Sequence, residues 1–289
     1  MIIYYGVCTA VLGLIFGSFL NCTAMRIVRK EDFVKGRSHC MSCGHELTAR
    51  DLVPLFSYLV HKGRCRHCGE KVSARYPLTE FGFMLLSIVL YLGVMVYGLG
   101  VPESDAGVYI SSELLIGTGF TVERVLFFFE YWVLTGCLYI IALSDLESLE
   151  IPDGVLLTGA ISWIGFSIVE LLLKIVIVKW LLHHFLAGLL IGTVMLVLSI
   201  VMDRVLGKDS MGGGDIKLYS LLGLYLGYIG SYELVLLSCI VGLLFAGIRK
   251  AALPDAPKEF PFGPSIAFAG YILLLVGNNI SEWYLSLFL

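Results

Sequence analysis

Long apolar runs alternate along this chain with short polar connections. Runs of about 20 apolar residues, the length that crosses a bilayer core as a helix, occupy 2–24, 78–100, 125–144, 154–173 and 181–202. The run 218–248 is longer: as one helix at ~1.5 Å per residue it would reach ~46 Å, too long for a ~30 Å core. A single helix would also bury Glu233 near its middle, so two short helices turning around 230–233 fit better. A last run covers 263–277, followed by a tail rich in Trp, Tyr and Leu that suits the membrane interface. The pattern predicts an all-α polytopic membrane protein with about eight transmembrane segments. The first run lacks a basic flank before it and continues to Ala24, so a cleaved signal peptide is not expected.

Composition puts this pattern in lipid. Of 289 residues 58% are hydrophobic and 15% charged, with a mean hydropathy of +0.88, against roughly 45–50% apolar and ~25% charged in soluble domains. No soluble catalytic domain of ordinary size is visible. The net charge of −3 matters less than its placement. Residues 26–75 hold 11 Lys and Arg; Arg204, Lys208 and Lys217 form a second basic group, and Arg249, Lys250 and Lys258 a third. Alternating the loops leaves Arg124, Lys174 and Lys179 on the opposite side. The positive-inside rule then predicts basic loops in the cytoplasm and the N-terminus outside. The loop 101–123 is acidic, as suits an outside connection. One cytoplasmic loop breaks the rule: 145–153 reads Asp-Leu-Glu-Ser-Leu-Glu-Ile-Pro-Asp, four acids and no base.

The first loop carries Cys40-Met-Ser-Cys43 and Cys65-Arg-His-Cys68, separated by 21 residues, each pair followed by a glycine that permits a tight turn. Two such knuckles predict a structural tetrahedral Zn2+ site on Cys40, Cys43, Cys65 and Cys68. Disulfides are the competing reading, but a cytoplasmic loop is reducing. The basic surface of the loop suits anionic membrane lipid. Without interleaved aromatics or a reading helix, it predicts no nucleic-acid partner.

Asp145 follows directly on the span 125–144, and Asp215 ends the run Met211-Gly212-Gly213-Gly214-Asp215 before the next apolar segment. Alternation returns both to the same membrane face. Aspartyl proteolysis needs two carboxylates close enough to share a proton, one activating water while the other, protonated, polarises the scissile carbonyl. Gly212, Gly213 and Gly214 would let backbone approach neighbouring helices and an extended peptide. Alternatives stand beside this reading: Asp215 as a helix-capping residue, Asp145 paired with Lys217, Asp153 as a cap on the following helix. Gly207-Lys208-Asp209 lacks the order of a phosphate-binding loop.

Taken together, these features resemble the type IV prepilin peptidases, membrane aspartyl proteases of the Gly-x-Gly-Asp group. The resemblance runs through Gly17-Ser18-Phe19-Leu20-Asn21, the two cysteine pairs, Pro54–Leu59, Ser73–Glu80, Asp145 with Ile151-Pro152-Asp153, Met211–Leu218, and Pro261-Phe262-Gly263-Pro264. It implies that Asp145 and Asp215 are the catalytic pair, supported by Gly212, Gly213, Gly214 and Lys217. It implies prepilin and pseudopilin substrates, cut at the cytoplasmic face of a bacterial inner membrane. It also implies methylation of the new N-terminal residue with S-adenosylmethionine, for which the sequence shows no cofactor fingerprint. The division expected is a first transmembrane segment over 1–25, a zinc-binding and methyltransferase loop over 26–77, and a peptidase core over 78–289. A leader peptidase without methyltransferase activity, a non-catalytic assembly scaffold and a transporter remain as alternatives.

Overall fold

A computed structural model describes residues 2–32, 37–48, 50–101, 120–207, 211–252 and 260–286, with side chains to 277. Most of the acidic loop 101–123, together with Lys208, Asp209, Lys258 and the end of the tail, lies outside the described residues. The described residues are helical, with no strand beyond two isolated bridges. Six helices are long and apolar enough to cross a membrane, and Gly263–Gly277 is a shorter apolar helix. Their outward faces carry Leu, Ile, Val and Phe in large numbers, which only lipid covers without cost. The chain is a multi-pass membrane protein.

The chain divides into two compact units, Met1–Leu92 and Gly93–Leu289. In the first, α1 (Ile2–Val28) packs antiparallel to α3 (Arg75–Leu90), with α2 (Phe56–Val60) in the polar segment between them. Gly13 and Gly17 make the approach possible. A Cβ on Gly13 would stand 2.9 Å from the Met84 Cα, and one on Gly17 3.0 Å from the Glu80 Cα. Small residues four apart let helix backbones touch in a membrane, where packing rather than water exclusion drives association.

The second unit holds α4 (Val122–Ser148), α5 (Asp153–Leu172), α6 (Val178–Leu206), α7 (Gly213–Ala252) and α8 (Gly263–Ser286). The expected turn at 230–233 lies instead at Gly227, where φ is 69° and ψ is −168°. Only glycine adopts that backbone readily. Tyr219 and Ser238 share a hydrogen bond of 2.6 Å between their hydroxyls. A straight helix would hold them about 28 Å apart, so the two arms of α7 fold back on each other, as the sequence pattern requires. Close to the break, His184 Nδ1 of α6 donates to the Leu224 carbonyl at 3.0 Å. A carbonyl only accepts, so the proton sits on Nδ1. Glu130 and Glu170, both buried, lie against each other between α4 and α5.

Candidate functional site

Asp145 occupies the last turn of α4 and is 5% exposed. Its Oδ2 accepts a 2.8 Å hydrogen bond from the backbone N–H of Gly263, the first residue of α8. One of the orphan donors at the α8 N-terminus is thereby satisfied by a carboxylate from another helix. Gly263 is required by contact: a Cβ there would stand 2.7 Å from Asp145 Oδ2. The sequence singled out Pro261-Phe262-Gly263-Pro264 by resemblance alone and gave it no role.

Asp215 lies in the first turn of α7, half-buried, with its N–H bonded to the Gly212 carbonyl at 3.1 Å. Its neighbour Gly214 seats directly on the 145–153 loop, where a Cβ would come within 2.8 Å of the Ile151 Cβ. The Ile151 side chain of the acidic loop therefore packs on the Gly-Gly-Gly-Asp turn at Gly214, and the Asp145 carboxylate lies within electrostatic reach of Asp215. Of the three glycines, Gly214 alone is pressed against a neighbouring segment; Gly213 faces open space, and beside Gly212 stands only the Asp215 carboxylate, 3.4 Å from a Cβ built there. That leaves an accessible edge of backbone beside Asp215. Lys217 pairs with Asp153 at 2.7 Å, both side chains exposed, and not with Asp145. Asp153 begins α5 while Pro152 holds the cap position, so the ion pair ties the start of α5 to the first turn of α7. Glu147 and Glu150 are exposed.

In the first unit, the sulfurs of Cys40, Cys43, Cys65 and Cys68 all lie within 4.8 Å of one another, with Cys40 and Cys68 at 3.9 Å. A metal with ~2.3 Å bonds to four sulfurs has tetrahedral edges of about 3.8 Å. A disulfide needs ~2.05 Å between sulfurs, and all four cysteines are free. The knuckles are copies of each other. Cys40 N–H bonds to the His45 carbonyl and Gly44 N–H to the Cys40 carbonyl; Cys65 with Glu70 and Gly69 with Cys65 repeat the pattern. Each knuckle is closed by one bridge, His39 to Glu46 and Arg64 to Lys71. Backbone N–H groups of Cys43 and Ser42 pull the Cys40 thiol down to about 6, while burial and the other three sulfurs push Cys68 up to about 12. The cluster is a metal-binding geometry.

Known proteins place both regions. Residues 11–94 match the Bacterial Peptidase A24 N-terminal domain and residues 132–247 match the Type IV leader peptidase family. A protein of Aeromonas salmonicida (strain A449) named "Prepilin leader peptidase/N-methyltransferase" is 35% identical over 251 residues, covering 86% of this chain and 75% of the relative. Proteins of the same name from Pseudomonas putida and Bacillus subtilis (strain 168) are 30% and 27% identical, with 96% of this chain covered in each and 92% and 96% of those relatives. No solved structure matches the chain. With its aspartates on facing helix ends and its cysteine knuckles within the matched segments, the chain belongs to the type IV leader peptidase family of membrane peptidases.

Proposed function

We propose that this protein removes the short leader from type IV prepilins and pseudopilins at the cytoplasmic face of a bacterial inner membrane, with Asp145 and Asp215 as the catalytic carboxylates, and N-methylates the residue it exposes. The observation that carries the reading is the meeting of the α4 terminus, the α7 first turn and the α8 N-terminus around those two aspartates. The Gly263 N–H fixes the Asp145 carboxylate in one orientation. The open backbone at Gly212 and Gly213 is where an extended leader lies as a strand beside Asp215. One carboxylate takes a proton from the attacking water while the other, protonated, hydrogen-bonds the scissile carbonyl. Gly214 and the Lys217–Asp153 pair hold the two segments in register. The peptidase core is assigned to 78–289, and the basic loops and the N-terminus are placed inside and outside respectively.

The loop 26–77 is assigned to methyl transfer and to a structural Zn2+ on Cys40, Cys43, Cys65 and Cys68. The near-tetrahedral spacing of those sulfurs fits the ion, which orders the loop by linking two distant turns. S-adenosylmethionine supplies an electrophilic methyl group when bound; the chain supplies the pocket and the positioning.

Mass spectrometry of a co-expressed prepilin tests the reading. Leader loss plus the mass of one methyl group is expected with the wild type. Asp145→Asn and Asp215→Asn should each reduce cleavage by on the order of 10⁴-fold, as loss of a catalytic group does, while the protein stays in the membrane. Normal cleavage by either variant overturns the assignment of the pair.

A further inference from the structure

The loop between α1 and α3 is densely charged, yet its stretch 52–60 carries no charged residue. Within that stretch Leu52, Val53, Phe56, Leu59 and Val60 stand between 42% and 71% exposed. Along α2, Phe56, Leu59 and Val60 share one face at spacings of three and four, while Ser57 and Tyr58 turn the other way and are half-buried. A cluster of large apolar side chains rimmed by polar ones marks a surface that something else covers. The stretch is too short to cross a bilayer.

The level of this surface is set by α3. The Leu55 N–H donates to Glu80 Oε2 at 2.7 Å, and Glu80 is buried in the second turn of α3, against Gly17 of α1. The outward-facing apolar side chains of α3 begin around that same turn, with Leu78 and Phe81, and those of α1 end at Phe19. A helical side chain leans toward its own N-terminus, so the Glu80 carboxyl holds Leu55 level with the first lipid-facing turn. The apolar face of α2 therefore stands at the edge of the hydrocarbon.

Charge points to the same cover. Arg50, Lys62, Arg64 and Arg66 flank the stretch in sequence, and all four are exposed. Anionic headgroups attract such cations, while the acyl chains beneath them take apolar side chains. A protein partner would have to offer both at a level where lipid already does. We propose that residues 52–60 dip into the leaflet on their own side of the membrane, with Phe56, Leu59 and Val60 below the headgroups. The stretch lies between Cys43 and Cys65, so its insertion holds the cysteine cluster at a fixed height over the bilayer. The insertion does not depend on the chemistry assigned to the loop.

Fluorescence of Phe56→Trp and Leu59→Trp, each in the full chain in nanodiscs, tests it, with the parent protein's emission subtracted so that the added indole is read alone. Both substitutions alter exposed side chains only. Lipid brominated in its acyl chains should quench the added Trp by about twofold or more relative to the same lipid without bromine. The quenching should persist at high salt, because insertion is apolar rather than ionic. Met41→Trp, on the exposed first knuckle, should stay close to unquenched. Trp at 56 and 59 that brominated lipid quenches no more than Trp at 41 overturns the insertion. Shielding that arises only when a prepilin is added makes the substrate the cover, and shielding only in discs holding two copies makes it a second chain. Either result overturns the lipid reading and leaves the peptidase reading untouched.

Discussion

In the first unit, each cysteine knuckle closes within a handful of residues, through one pair of backbone hydrogen bonds and one bridge, and the second knuckle repeats the first. The aspartates of the second unit are positioned by contacts between segments far apart in the chain. Asp145 takes its hydrogen bond from Gly263, 118 positions away, and the turn holding Asp215 is located by Gly214 pressing on Ile151. The cysteine cluster is built from local turns, and in the proposed reading an ion joins its two halves. The aspartate site is built from helix ends whose positions depend on the whole bundle. A local ligand set fails by losing a ligand, whereas a distributed site fails when a backbone is displaced by a fraction of an ångström.

The largest effect that sharpens this contrast belongs to the metal centre. Cys65→Ser removes a buried thiol of the cluster and should bring zinc, measured by elemental analysis of the purified protein, to background, because metal binding and ordering of such a loop are one equilibrium. Methylation of the pilin product should disappear with it, while leader cleavage falls far less. Equal loss of both activities would show that the metal loop and the aspartate site act as one unit and would break the comparison.

Next in size is Gly263→Ala. The added methyl would stand 2.7 Å from Asp145 Oδ2 and 3.2 Å from its Cβ, so either the carboxylate or the start of α8 must move. A displacement near 1 Å at a catalytic group costs on the order of 10²-fold in rate. The loss should fall on kcat for leader cleavage, with zinc content unchanged. Cleavage at the wild-type rate would show that the Gly263 N–H does not position Asp145.

The same contrast explains what the chain disclosed before folding. Spans follow from runs of apolar residues and the knuckles from cysteine spacing, both of which are properties of neighbours in sequence. The turn within 218–248 was legible in kind but not in place. The expected turn stood around 230–233 and the break lies at Gly227, close to His184 of α6, which donates to the Leu224 carbonyl. Lys217 was a candidate partner for Asp145 and pairs with Asp153, because Gly214 seats the α7 turn on Ile151, beside the start of α5. Gly263 carried no signal of its own: its role exists only once α8 begins where α4 ends.

The smallest effect is expected at Lys217, and it tests how much of the aspartate site rests on charge. The Lys217–Asp153 pair is short, at 2.7 Å, but its side chains are 57% and 73% exposed. Pairs of that kind contribute about 0–1 kcal/mol and weaken with salt. Packing of the Ile151 side chain on Gly214 holds the same two segments without it. Lys217→Ala should therefore slow leader cleavage by no more than about fivefold at low salt, the rate equivalent of that energy, with the difference shrinking as ionic strength rises. A loss near 10²-fold that persists in high salt would mean that Lys217 touches the substrate or a catalytic carboxylate during the reaction. The site would then depend on a charged side chain as well as on packing, and the contrast with the ligand-held cysteine loop would narrow.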